Sequence, residues 1–238
     1  MNSYISIAAD LIFPRRCPFC DELLPFGGRL VCSRCEPLLP RTGRNYCLKC
    51  GRQLKEGTDE YCPSCRKVSH AFDEGRSLFV YDDRVRRSLA AFKYKNRREY
   101  ADYYSEELYR KFGTYIRSKR PDALIPVPVS PLRRRRRGYN QAELLAEKLG
   151  KLCKIPVKKD LILRVRETTA LKELGRRQRQ KNLKKAFKIR GNVVELKTIM
   201  VIDDIYTTGS TMDEISSVFR EAGVRHVFFL TVASTGGL

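Results

Sequence analysis

The sequence predicts an α/β fold in which a parallel sheet is flanked by helices and preceded by a small cysteine-rich module. Three observations predict it. Apolar runs at Ser77–Tyr81, Leu124–Val129, Ile199–Ile202 and Val227–Val232 alternate with helical patterns, the order that builds parallel sheets. The run at Ile199–Ile202 is apolar at every position, as a strand covered on both faces requires. Eight of the nine cysteines stand in C-x-x-C pairs before residue 70. At 238 residues there is room for one medium domain and a small one, with the cysteine module at 1–70 and the α/β domain at 71–238.

The cysteine pairs are Cys17/Cys20, Cys32/Cys35, Cys47/Cys50 and Cys62/Cys65, recurring every 15 residues. A C-x-x-C turn aims two thiolates at one metal, and two such turns complete a tetrahedral four-cysteine site that suits zinc. Eight ligands make two structural Zn2+ sites, a double zinc ribbon. Four cysteines leave no open coordination position, so these ions would not be catalytic. The competing arrangement is a disulfide framework, which needs an oxidising compartment. The opening residues lack the basic start of an export signal. Interleaved sharing of the ions is open, but consecutive sharing closes shorter loops and is the expected one: Cys17, Cys20, Cys32 and Cys35 on one ion, the other four on the second. A ribbon this small needs its metal to fold, and such modules serve as scaffolds or as contacts for nucleic acid or protein. Cys153 stands alone and reads as a core residue.

Met1–Phe13 reads as a short amphipathic helix and Ser77–Tyr81 as the first strand. Val85–Phe92 is helical, with Val85, Leu89 and Phe92 on one face. The basic and aromatic mixture from Lys93 to Arg98 fits either a solvated turn or an anion contact. Tyr100–Ile116 forms a second helix with an aromatic inner face. In Leu124–Val129, Pro126 and Pro128 cannot continue a central ladder, so the strand gives way to a loop carrying Val129 and Ser130. Arg133, Arg134, Arg135, Arg136 and Arg137 follow, and Gly138–Gln141 leads into a helix from Ala142 to about Leu152. Guanidinium groups clamp phosphates bidentately. Five exceed what one pyrophosphate needs, so the run points to a nucleic-acid backbone as well. Residues 164–190 continue the basic theme with few large apolar side chains, as in a mobile loop or exposed helix. Val193–Glu195 is expected to return the chain to the sheet.

Residues 199–212 read I-M-V-I-D-D-I-Y-T-T-G-S-T-M. They place Asp203 and Asp204 at the C-terminal end of a strand, where open α/β sheets bind ligands. Gly209 allows close backbone approach to an anion, and Thr207, Thr208, Ser210 and Thr211 add hydroxyl donors. The helix that follows aims its N-terminal N–H groups and its dipole at the same spot. Two carboxylates beside a phosphate must face something else, and ribose hydroxyls and Mg2+ are the natural candidates.

The net charge of +21 is unevenly placed. Residues 133–190 hold 21 basic and 5 acidic residues, against 11 and 7 in residues 1–70. Solubility alone would spread this charge, so a polyanionic partner is favoured. No apolar run reaches the length of a membrane span, and a cytoplasmic location is expected.

Residues 199–212 resemble the phosphoribosyl-pyrophosphate (PRPP) motif of type I phosphoribosyltransferases; without Gly-Lys-Ser/Thr they are not a Walker loop. Three further phrases join it: P-V-P-V-S-P-L-R, R-G-Y-N-Q-A-E-L-L-A, and the R-x-x-N-x-x-x-A-F run from Arg179 to Phe187. With the double zinc ribbon, the chain resembles the ComF family of amidophosphoribosyltransferase-like competence proteins over nearly its whole length. The resemblance implies a type I phosphoribosyltransferase-like sheet and a role in natural transformation, where incoming single-stranded DNA is handled in the cytoplasm. Other competence proteins could dock on the ribbons. By the same resemblance, Asp203 and Asp204 meet the ribose hydroxyls of PRPP, which carries Mg2+. Thr207, Thr208, Gly209, Ser210 and Thr211 cradle its 5′-phosphate, and Val129 and Ser130 border its pyrophosphate. The alternative is an active phosphoribosyltransferase acting on an unknown nucleobase or amine. Tyr206 departs from a usually aliphatic position, and Leu171 stands where many family members have Gln. Thr207 stands where some purine-salvage enzymes of this fold carry an acid, which leaves the loop without an evident general base.

Overall fold

The structure, a computed structural model, describes residues 14–25, 28–55, 60–166 and 186–236. In chain order the elements are α1 (Pro63–Lys67), β1 (Glu74–Val80), α2 (Asp83–Tyr94), α3 (Tyr100–Lys119), β2 (Ala123–Pro126) and α4 (Pro131–Arg137). They continue with α5 (Gln141–Cys153), β3 (Ile162–Arg164), β4 (Phe187–Ile189), β5 (Thr198–Tyr206), α6 (Ser210–Glu221) and β6 (His226–Ser234). The main sheet has the order β1-β6-β5-β2, with every neighbouring pair parallel. β3 and β4 form a separate antiparallel pair. Parallel sheet, flanking helices and N-terminal cysteine module are the architecture predicted from the sequence.

Alternation along the strands assigns their side chains to two cores. Leu124, Met200, Ile202 and Leu230 pack with α2, α3 and α5 residues such as Leu89, Tyr104, Leu108 and Leu149. Ile125, Ile199, Val201 and Phe229 pack with Ile215 and Phe219 of α6. The cysteine module joins both cores. Cys17 and Phe19 belong to the first, and Cys47, Cys50 and Cys62 to the second.

The chain between the two ribbons runs along the outer edge of β1. Thr42 N–H donates to the Leu78 carbonyl (3.0 Å), Val80 N–H donates to the Pro40 carbonyl (2.8 Å), and Arg41 pairs antiparallel with Phe79. An otherwise open sheet edge is thereby covered. Contacts cross residue 70 again where Gly75 N–H donates to the Lys49 carbonyl (2.8 Å).

Two local outcomes differ from expectation, and a third fills a stretch for which the sequence carried none. First, Val193–Glu195 forms a turn, not a strand: the Asn192 side chain accepts from Val194 N–H (2.9 Å) and Val194 is 70% exposed. An Asx turn of this kind diverts the backbone from a ladder, and the neighbouring strand is Phe187–Ile189 instead. Second, β5 runs four residues beyond the expected Ile202, through both aspartates to Tyr206, because β6 continues to pair with it. Third, the arginine run is helical. Ser130 caps it by accepting from Arg133 N–H (3.4 Å), Pro131 opens it, and Gly138 closes it at φ 77°. Such a start and stop suit a short helix. The expected helix at Met1–Phe13, and the greater part of the basic segment with Leu171 and most of the Arg179–Phe187 phrase, lie outside the described residues.

Candidate functional site

The eight paired cysteines gather into two groups, Cys17/Cys20/Cys32/Cys35 and Cys47/Cys50/Cys62/Cys65, with all sulfurs of a group within 4.8 Å of one another. A tetrahedral site with Zn–S bonds of about 2.3 Å has S···S edges of about 3.8 Å. The Cys20–Cys32 and Cys50–Cys62 sulfurs are 3.7 and 3.8 Å apart. The donor set and its spacing fit two structural zinc ions, shared between consecutive pairs. Each group opens with the same knuckle, in which Cys17 N–H donates to the Glu22 carbonyl and Cys47 N–H to the Arg52 carbonyl, both at 2.8 Å. The knuckle needs a positive φ at its fifth residue, Asp21 (61°) in one and Gly51 (71°) in the other. Asp21 uses its side chain to accept from Tyr100 Oη and Arg97 Nη2, both at 2.9 Å. Gly51 has no such room, since a Cβ there would lie 2.5 Å from the Gly75 carbonyl oxygen and Arg76 Cα.

The expected ligand site lies beyond the point where β2 stops pairing with β5, at Pro126 opposite Ile202. Here β5 presents Asp203 and Asp204. Asp204 is buried and forms an ion pair with Lys93 Nζ, from the last turn of α2. Asp203 Oδ1 accepts from Asp204 N–H (2.8 Å). Burial pushes the Asp203 carboxyl up to about 8, repulsion from Asp204 adds to this, and the Asp204 N–H and Lys93 oppose it. Part of the residue stays accessible, so a ligand can reach it.

Thr207 and Thr208 then turn the chain, Gly209 adopts φ 84°, and α6 begins at Ser210. Thr208 Oγ1 and Ser210 Oγ are 3.0 Å apart. A Cβ on Gly209 would meet Tyr206 Oη at 2.6 Å and His70 Cε1 at 3.2 Å. The unusual Tyr206 thus lies beneath the loop, stacked on Phe229 at 5.0 Å between ring centroids.

Val129 and Ser130 follow the last residues that track β5: Val127 N–H donates to the Ile202 carbonyl (2.9 Å), which brings this loop beside the aspartates. Asn140 fixes it from the other side. Its Nδ2 donates to the Val127 carbonyl (2.9 Å), while its Oδ1 caps α5 by accepting from Ala142 N–H (3.1 Å). Ser130 is buried with its hydroxyl turned to the cap of α4. The arginine contacts go to separate places, with Arg136 and Arg137 meeting on Tyr94 and Arg134 turning to Glu143. Arg134 pairs with Glu143 (2.6 Å), Arg137 donates to Gln141 (2.9 Å) and to Tyr94 Oη (3.1 Å), and Arg136 lies over the Tyr94 ring (5.4 Å). Lys93 had an ambiguous signal in the basic-aromatic mixture. Arg52, His70 and Asp213, which touch the loop or the first turn of α6, had none.

Comparison with known proteins agrees with the cysteine module. Residues 8–66 match the family model described as a double zinc ribbon domain. "Competence protein F" of Haemophilus influenzae is 40% identical over 111 residues, 46% of this chain and 48% of that protein. "Competence protein ComFC" of Bacillus subtilis is 30% identical over 150 residues, 63% of this chain and 59% of that protein. These matches support the ComF family. "DNA utilization protein YhgH" of Escherichia coli K12 is 34% identical over 107 residues, 45% of this ComF-like chain and 47% of that protein. The chain thus spans about half the length of the curated relatives it matches. Among solved structures, a purine phosphoribosyltransferase from Pyrococcus horikoshii aligns with a TM-score of 0.33 and 13% identity, over 58% of this chain and 72% of that one. Among the described residues, no helix is long and apolar enough to cross a membrane.

Proposed function

We propose that this ComF-like protein binds PRPP, or another phosphoribosyl ligand, at the ligand end of β5 and handles single-stranded DNA in natural transformation. The observation that carries the first part is the placement of Asp203, Asp204 and the Thr207–Thr211 loop around one helix N-terminus. The loop N–H groups, its hydroxyls and the α6 dipole suit a 5′-phosphate. The carboxylates suit ribose hydroxyls, and Mg2+ carried by the ligand would neutralise its pyrophosphate. Val129 and Ser130 border that end of the site. Because Asp204 already holds Lys93, an incoming magnesium ion meets a resident cation there.

The DNA part is supported by the arginine helix, by the charge of residues 133–190 and by the names of the relatives. Arg133–Arg137 would contact phosphates without reading sequence. The ribbons are suited to docking other competence proteins, and the setting is the cytoplasm. The test is calorimetric titration of Mg2+·PRPP into the wild-type chain and the Asp203→Asn, Asp204→Asn double variant. Binding at least tenfold weaker in the variant is expected; equal binding, or none to the wild type, would sink the ligand assignment. The second reading, transfer to an unknown nucleobase or amine, is favoured only by the motif itself. It requires pyrophosphate release from PRPP with some member of an acceptor panel, and silence across the panel counts against it.

A further inference from the structure

We infer that Arg52, held in the second zinc knuckle, is a positioning residue for the phosphate loop, so that the cysteine module sets the loop's backbone. The inference rests on the phosphoribosyl reading of the loop, but the contact itself is independent of any ligand. Arg52 follows Cys50 and Gly51, and its carbonyl accepts the Cys47 N–H that closes the knuckle. Its side chain crosses to the other end of the chain. Nη2 donates to the Thr207 carbonyl at 2.5 Å, and the guanidinium lies over the Tyr206 ring at 5.7 Å, within cation–π range. Gly236 borders it closely, since a Cβ there would lie 3.1 Å from Arg52 Nη1. Its Nε is buried with no hydrogen-bond partner among the described residues. Such an orphan donor calls for an explanation, and a guanidinium committed to holding the loop supplies one.

The mechanism follows from peptide geometry. The Thr207 carbonyl and the Thr208 N–H share one planar unit and point in opposite directions when the bond is trans, as every described bond is. Holding the carbonyl outward on Arg52 therefore turns the Thr208 N–H inward, toward the space an anion would fill. A second brace acts one turn further on. Asp213 of α6 accepts from Ala71 N–H (3.1 Å), and its Oδ2 is 2.8 Å from Nδ1 of His70, whose ring stacks on Phe72. Its carboxylate is thereby held by the Ala71 amide and the His70 ring, which itself lies against Gly209.

The test compares wild type with Arg52→Ala and Arg52→Lys. Zinc content is measured by elemental analysis, the orientation of the Thr208 N–H bond by residual dipolar coupling in NMR without ligand, and affinity by titration with Mg2+·PRPP. With two zinc ions retained, Arg52→Ala is expected to change the Thr208 coupling while leaving those of the sheet in place, and to weaken PRPP at least tenfold. Arg52→Lys, which keeps one donor, should recover part of both. An unchanged Thr208 coupling in a zinc-replete Arg52→Ala protein overturns the inference. If that variant loses zinc, the comparison rests on Arg52→Lys, and a wild-type coupling there overturns the inference. Should the wild type not bind PRPP, the ligand reading fails while the coupling comparison still decides the positioning role.

Discussion

Adjacent carboxylates at the ligand end of a sheet are costly unless each is neutralised, and Asp203 and Asp204 do so differently. Asp204 takes the Lys93 ammonium as partner. Asp203 is pushed up to about 8 by burial and by its neighbour, so it retains a proton in the folded chain where an unfolded chain, near about 4, has lost it. The folded state therefore binds more protons between these values, and this group's contribution to stability falls as pH rises from about 4 to about 8. Asp203→Asn is expected to remove that fall. Its melting temperature should match wild type at pH 4 and exceed it at pH 9, because each tenfold difference in proton affinity between the two states is worth about 1.4 kcal/mol. Equal differences at both pH values would contradict this. The acidic pair was legible because strand, acids, glycine and hydroxyls are contiguous. Its partner Lys93 was not, because more than a hundred residues separate it from Asp204 and only the packing of α2 brings them together.

At the scale of elements, the arginine run shows what a residue string cannot say about direction. Read as a string, five guanidinium groups suggest a row of phosphate clamps. Folded as α4, they are distributed around an axis at about 100° per residue, and Arg134 and Arg137 already have protein partners. On the nucleic-acid reading, the exposed Arg135 and Arg136 carry separable phosphate contacts. Replacing both with Ser should reduce the slope of log affinity against log salt for oligo-dT by roughly 1.4, at about 0.7 per single-strand phosphate. An unchanged slope removes these two from the interface. Start and stop signals for α4 are present in the sequence, in Ser130-Pro131 and Gly138, but the uniform charge between them hides the helical period. The short β3 and β4 were harder still, since each is three residues long and one of the three is basic.

For the whole molecule, the legible part was the class of fold and the metal chemistry, both of which depend on local spacing. What spacing could not convey is that the two ribbons serve different faces of one sheet. That arrangement follows from contacts far apart in sequence, such as Lys49 with Gly75 and Pro40 with Val80. Because cysteines from both groups belong to the two main cores, zinc removal is expected to lower the stability of the entire chain. Calorimetry with a strong chelator should show one transition shifted down, whereas a persisting transition at the wild-type temperature would mean that the sheet stands without the ribbons.

The strip at residues 40–42 has one more consequence. By occupying the flank of β1, it leaves no room for a strand from another copy to join the sheet there. A chain deprived of zinc would uncover the outward groups this strip now meets, the Leu78 carbonyl and the Val80 N–H. Metal supply would then govern whether the protein stays dispersed or self-associates, as well as whether it folds.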